Sequence, residues 1–333
     1  MNCAPSILTN LAFNQSPTWR AAVTTICKES ESPDDLGSLR QLFRLLRLRS
    51  RFDVVVTMAP RPSLAYGLAC ALLHLPSKQI MTEVFLDAPR PASPLWRAKT
   101  ALFRWVARRS LGILTNSSAE VGFIARRFAL PEAKLRFVPM YTTIESPHLE
   151  TANDGSVLSI GRTLRDIDTL IHAAEQIPAP LVLVVGKHDP LPAKLPPHVQ
   201  VFRDISLAES HEKLRRAAVV AIPLLPAERS TGQVVLFEAM ALGKPVVATR
   251  VAGTADYIRD GENGLLIAPG DAGELARAIQ RLLQDSLLAD RLARAALADC
   301  TTSLNAEVHA TRKLQAIQAL WAPASSSSTA GAP

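Results

Sequence analysis

The chain has 333 residues, 48% of them hydrophobic and 20% charged, with a formal net charge of +7. That balance describes a folded chain rather than a disordered one, with length enough for two domains of ordinary size. No apolar run reaches the eighteen or so residues of a membrane span, and the opening MNCAPSILTNLAFNQ lacks the basic-then-apolar order of a cleaved leader.

Cys3, Cys27, Cys70 and Cys300 are scattered and form no C-x-x-C pair, so the expectation is reduced thiols in a cytoplasmic protein, with no zinc site. The charge is uneven. Residues 1–150 hold 19 Lys/Arg against 11 Asp/Glu, a net +8, and the remainder holds 18 against 19, a net −1. A basic first half points to an anionic partner: a membrane surface, a phosphorylated acceptor or nucleic acid.

In the first half, FDVVVTM (52–58), SKQIMTEVFL (77–86), LGILTN (111–116) and LRFVPMY (135–141) read as strands separated by helical stretches. Two of those stretches are basic and amphipathic. LRQLFRLLRLRSRF (39–52) sets Leu42, Phe43, Leu45 and Leu46 among five arginines, and SPLWRAKTALFRWVARRSLG (93–112) interleaves Trp96, Phe103 and Trp105 with Arg97, Lys99, Arg104, Arg108 and Arg109. Such helices suit the interface of an anionic membrane, or a sheet face with a solvated basic side. No nucleic-acid-binding motif accompanies the charge, so nucleic acid is not expected as a partner. The polar, proline-containing IESPHLETANDG (144–155) marks a domain boundary, placed at 150.

The second half alternates more regularly. GSVLSIGR (155–162), PLVLVVG (180–186), HVQVF (198–202), VVAIPLL (219–225), PVVAT (245–249) and GLLIAP (264–269) are buried-strand patterns. Between them RDIDTLIHAAEQI (165–177), SLAESHEKLRRA (206–217) and AGELARAIQRLLQD (272–285) have helical spacing, the second opening with a Ser206/Glu209 capping box. Short apolar strands alternating with helices predict a parallel sheet covered on both faces, with ligands beyond the carboxyl ends of its strands. The second domain runs over 151–322, with room for its last helix to pack back on the first. The low-complexity end, 323–333, is expected to be without structure.

RSTGQVVLFEAMALGKPVVAT (229–249) is the strongest local signal. Ser230 or Thr231 can cap the helix, Gly232 lets its first turn approach an anion, and Gly243 can end it. Glu238 is the single acid in an otherwise apolar run, so it needs a hydrogen-bond donor or an opening to a ligand. DID (166–168) opens a helix, where acids favour the N-terminal dipole, and is not read as a metal site. His172, His188, His198 and His211 show no ligand spacing and read as surface or core histidines.

STGQVVLFEAMALGKPVVATRVAGTADYIRDGENGLLIAPGD (230–271) resembles the signature of retaining glycosyltransferases of family 4, whose fold is GT-B. The resemblance implies two doubly wound, Rossmann-like α/β domains facing a central cleft, an N-terminal one for the acceptor and a C-terminal one for a nucleotide-sugar donor. It places Glu238 on the donor ribose and Gly232, Gln233 and Val234 on the turn that meets the distal phosphate and sugar. Arg162 and Arg165, in GRTLRDID, fall where the family puts two cations on the diphosphate, an arrangement that replaces a metal ion; no cofactor is implied. The family's first Glu of the pair, which reads the donor sugar, falls on Ser230, with Thr231 beside it and Glu228 two residues earlier.

In the first domain the family's His near the reacting sugar falls close to Glu83, with Asp87 four residues on. Either could orient or deprotonate an acceptor hydroxyl. The family's glycine-rich loop after the first strand is absent from ILTNLAFNQSPTWR. The function implied is transfer of a sugar, with retention, from a nucleoside-diphosphate donor to a lipid-linked or cell-envelope glycan precursor at the inner face of the cytoplasmic membrane. A nucleotide-sugar epimerase of the same fold and a non-catalytic membrane-surface scaffold are the alternatives.

Overall fold

The computed structural model describes residues 4–11, 13, 15–27, 37–84 and 88–328, with side chains to Ala322. The chain forms two compact units. In the first, strands β1 (Ile7–Thr9), β2 (Val23–Thr25), β3 (Val54–Met58), β4 (Gln79–Thr82), β5 (Gly112–Thr115) and β6 (Leu135–Phe137) make a parallel sheet in the order β2-β1-β3-β4-β5-β6. Helices α1 (Pro17–Ala22), α2 (Gly37–Leu48), α3 (Pro60–Leu72), α4 (Pro94–Arg109) and α5 (Ser118–Phe128) connect them. The strands are buried on both faces, so they read as apolar runs rather than as alternation. Leu45, Val55 and Tyr66 lie in one core cluster and Phe103, Ile113 and Phe128 in another.

The second unit, Met140–Asn305, has strands β7 (Val157–Ile160), β8 (Leu181–Val185), β9 (Val199–Arg203), β10 (Val219–Ile222), β11 (Val246–Thr249) and β12 (Leu265–Ile267) in the order β12-β11-β10-β7-β8-β9, all parallel. Helices α6 (Ile167–Ala174), α7 (Leu207–Arg216), α8 (Gln233–Ala241), α9 (Ala272–Gln284) and α10 (Ser286–Thr302) cover it. This is the doubly wound dinucleotide-fold order, and its direction reverses between β7 and β10. The strand series expected here is present, trimmed by up to three residues at the ends, except that β9 runs one residue further, to Arg203. The capping box on α7 is complete, with the Ser206 hydroxyl and Glu209 carboxylate each bonded to the other's backbone N–H.

The domain boundary and the tail differ from expectation, while the last helix goes with the first unit, as the sequence left room for. The units part at 139/140 rather than at 150, because residues 140–150 spend their amides on the second unit: Thr142 N donates to Leu304 O, His148 N to Ala241 O and Glu150 N to Leu242 O. The last helix, α11 (Ala306–Ser328), belongs to the first unit and carries its helical backbone into the serine-rich end. Each further residue adds a hydrogen bond to an existing helix, which offsets the weak propensity of serine. Residues 329–333 lie outside the described residues.

Candidate functional site

The topological switch of the second unit is where a ligand site is expected, and the loops after β7 and β10 are laced together there. Leu225 N donates to Leu164 O at 2.9 Å, Asp166 N to Pro223 O at 3.1 Å, and Thr231 Oγ1 to Thr163 O at 3.1 Å. The loop after β11 presses on the same place. A Cβ added to Gly253 would lie 2.1 Å from Thr231 O, so only glycine allows the two backbones to meet.

Helix α8 starts from this junction, and its cap corrects the sequence reading. The N-cap is Gly232, at φ 82, with no side-chain capping bond; neither Ser230 nor Thr231 fills that role. Thr231 is turned to Thr163, and Ser230 is buried. Position 232 is turned inward: a Cβ there would stand 2.8 Å from Leu224 Cδ1, which leaves the cap to a residue without a side chain. At the other end Gly243 N donates to Met240 O and Lys244 N to Ala239 O, a Schellman closure. Gln233 is buried and Val234 exposed at the first turn.

Glu238 lies in the middle of this buried helix and is itself 9% exposed. Its Oε1 accepts from Thr143 Oγ1 at 3.4 Å and stands 3.3 Å from His211 Nε2 on α7. Because a carboxylate only accepts, the imidazole carries its proton on Nε2. His211, read from sequence as a surface or core histidine, is therefore part of the Glu238 environment. It also borders a cavity of about 460 Å³ with Ile144, His148, Ala208, Arg215 and Leu242. A helix apolar on all sides is expected to be buried, and here α10 lies against α8, with Cys300 Sγ donating to Phe237 O. The lone acid is held by donors from outside its own helix.

The two arginines after β7 differ. Arg162 is exposed and its Nη2 meets Asp204 Oδ1 at 2.7 Å. Arg165 folds under its own loop, with Nε and Nη2 donating to Ile160 O at 3.1 and 3.0 Å and Nη1 to Thr163 O at 3.2 Å. Glycine at 161 makes that possible, since a Cβ there would clash with the guanidinium. Burial pulls the Arg165 pKa down to about 10, which leaves it cationic at neutral pH. Asp166 caps α6, Oδ1 accepting from Thr169 N and Oδ2 from Thr169 Oγ1. Glu228 is exposed.

In the first unit Glu83 follows β4 and is half-buried, with φ 53. Asp87 lies outside the described residues. On α2 and α4 the apolar stripe is divided. Leu45 and Phe103 enter the cores, whereas Leu39 (82%) and Phe43 (65%) on α2, and Leu95 and Trp105 on α4, remain exposed. No helix among the described residues is long and apolar enough to cross a membrane.

Two Rossmann-like units, the second with its switch-point loops knitted around a helix start, define the GT-B architecture. Solved structures share it: sucrose-phosphate synthase from Thermosynechococcus elongatus (TM-score 0.68, 20% identity, covering 91% of this chain and 84% of that one) and Anabaena HepE in complex with UDP and glucose (TM-score 0.67, 17% identity, 94% and 99%). The chain carries glycosyltransferase domains in both units. Residues 13–140 match the family model described as glycosyltransferase family 4, and residues 155–285 the one described as glycosyl transferases group 1.

Among curated proteins the chain is similar to the lipopolysaccharide core biosynthesis glycosyltransferase LpsE of Rhizobium meliloti, 34% identical over 158 residues, 45% of this chain and 46% of that protein. It is also similar to the D-inositol 3-phosphate glycosyltransferase of Acidothermus cellulolyticus, 45% identical over 83 residues, 25% and 18% respectively. These matches thus span less than half the length of either relative.

Proposed function

We propose that this protein transfers a sugar, with retention of anomeric configuration, from a nucleoside-diphosphate sugar to a glycan precursor of the cell envelope. The observation that carries this reading is Glu238: a carboxylate within a buried helix whose start, at Gly232, presents backbone rather than a side-chain cap. A ribose gives such a carboxylate hydroxyl donors, and the α8 N-terminus gives a diphosphate N–H groups and the positive end of a dipole. Arg162 reaches the diphosphate by leaving an exposed ion pair, and Arg165 adds a fixed positive charge beneath the loop. Those two charges take the place of a metal ion.

In the transfer the bond from the anomeric carbon to the diphosphate oxygen breaks, and its electron pair stays on the diphosphate. The acceptor oxygen bonds the same face of that carbon, and its proton passes to the departing phosphate. Glu83 is the acid of the first unit that orients the acceptor hydroxyl. The acceptor is lipid-linked and met at an anionic membrane surface, a reading supported by Leu39, Phe43, Leu95 and Trp105 exposed among the arginines of α2 and α4. LpsE, named for lipopolysaccharide core biosynthesis, agrees with an envelope precursor.

A thermal-shift panel of UDP, GDP and ADP, each with and without its sugar, tests the donor site, because a ligand of the folded state raises the melting temperature. At least one nucleotide is expected to raise it, and Glu238→Ala to abolish that response. Silence from every nucleotide would sink the donor reading. Nucleotide binding without turnover of any donor sugar would favour the scaffold that Ser230, in place of a sugar-reading Glu, leaves open.

A further inference from the structure

The first unit buries a lysine that nothing above explains. Lys313, on α11, is 3% exposed, and among the described residues its Nζ has no hydrogen-bond or ion-pair partner. It sits 5.8 Å from the ring centroid of Trp19. One turn earlier on the same helix, His309 Nδ1 donates to Pro139 O at 2.6 Å and packs edge-on against Phe13. Phe13 follows β1, Pro139 follows β6, and Trp19 opens α1, so this part of α11 lies at the carboxyl edge of the sheet, the edge where open α/β sheets bind ligands. Side chains on a helix lean toward its N-terminus, which aims the Lys313 ammonium along that edge.

Burial lowers the Lys313 pKa, and the carboxylate of Glu83, at the end of β4 on the same sheet edge, opposes that by favouring the charged form. The two do not close into an ion pair, so neither satisfies the other. Glu83 is held at φ 53, and Ala59, at the end of the neighbouring β3, at φ 71, with Ala59 N bonded to Thr82 O at 3.2 Å. Two side-chain-bearing residues in the left-handed region on adjacent strand ends are a strain that a fold keeps where it positions something. An ammonium taken out of water with no acceptor is similarly costly unless a ligand supplies one.

We propose that Glu83 and Lys313 form a subsite for a neutral polyhydroxylated ring of the acceptor. Glu83 accepts from one hydroxyl, and Lys313 donates to the next. A phosphate or carboxylate at the same place would meet Lys313 but bring a second negative charge against Glu83. Vicinal hydroxyls supply each group with the partner it lacks. The acceptor at this position is therefore a sugar or cyclitol ring rather than its anionic substituent. The inference rests on the transferase reading.

Saturation-transfer NMR on the full chain tests it, with methyl α-D-mannopyranoside, methyl β-D-galactopyranoside and myo-inositol as neutral probes and glycerol 1-phosphate as the anionic one. At least one neutral ring is expected to bind, and Lys313→Met and Glu83→Gln each to weaken it about tenfold. The UDP or GDP thermal shift should stay at its wild-type value in both variants, and a cooperative urea transition followed by tryptophan fluorescence should be kept, which an unfolded first unit would not allow because all four tryptophans lie there. Should Lys313→Met fail to fold, Glu83→Gln, at a half-buried loop residue, carries the same comparison. The subsite is overturned if no neutral ring binds, if glycerol 1-phosphate is preferred, or if the variants bind as wild type does. A wild-type protein that ignores every nucleotide counts against the donor reading instead.

Discussion

His211 and Glu238 stand 3.3 Å apart, imidazole Nε2 to carboxylate Oε1, although they belong to different helices, α7 and α8. The pair engages Oε1 of the acid; on the donor reading Oε2 is the oxygen that meets the ribose. If the two act as a unit in holding ribose, their substitutions are not additive. His211→Leu is expected to weaken nucleotide binding about fivefold and Glu238→Ala at least tenfold, with the double variant no weaker than Glu238→Ala alone. Isothermal titration with UDP or GDP measures the cycle; strictly additive losses would dissolve the pair.

Arg162 and Arg165 carry the same charge three residues apart but do different work. The Arg162–Asp204 pair is exposed on both sides, 63% and 50%, so it contributes little to stability, and on the donor reading it gives way to a diphosphate. Arg162→Ala is expected to cost about tenfold in affinity for a nucleoside diphosphate over the nucleoside, with the melting temperature unchanged. Arg165→Ala strips the donors from Ile160 O and Thr163 O and is expected to destabilise the fold by about 1–3 kcal/mol in urea unfolding. The reverse pattern would mean that Arg165 is the ligand-facing cation.

The exposed apolar side chains of α2 and α4 predict selective membrane binding. Phe43→Glu combined with Trp105→Glu should abolish sedimentation with vesicles containing anionic lipid, without lowering the melting temperature, because neither residue enters a core. The wild-type interaction should also weaken as salt rises. Equal binding to neutral and anionic vesicles would end the membrane reading.

His309 makes the first unit sensitive to acid. Burial, helped by the Lys313 charge, pushes its pKa from the ordinary 6.5 down to about 3. The unfolded chain therefore takes up a proton at this residue below pH 6.5, while the folded chain does not until about pH 3. Stability supplied by the neutral imidazole is complete above 6.5 and is lost as pH falls toward 3. Between pH 7 and pH 5 the loss amounts to roughly 2 kcal/mol. His309→Gln removes that slope, which urea titrations at the two pH values would show; an undiminished slope would place its origin elsewhere.

Much of the second unit was legible in the sequence because a strand buried on both faces must be apolar throughout, as VVAI (219–222) and VVAT (246–249) are. Local chemistry that depends on one neighbour was legible too, as with Ser206 and Glu209. The N-cap of α8 was not. Serine and threonine are better caps than glycine in isolation, and only the inward turn at Leu224 reverses the preference. His211 was hidden for a related reason: its helix reads as a charged surface helix, and its partner is chosen by how α7 lies against α8. Nor do the letters of GRTLRDID distinguish an arginine that faces solvent from one folded beneath its own loop.

The return of α11 to the first unit has a consequence for biosynthesis. Residues 140–305 form a contiguous unit that emerges from the ribosome whole, whereas the unit built from residues before 140 waits for α11, with Lys313, His309 and Leu320 still to be made. Residues 140–305 can thus finish folding before the unit that precedes them does, and a truncation ahead of α11 would damage the unit whose strands lie before residue 140.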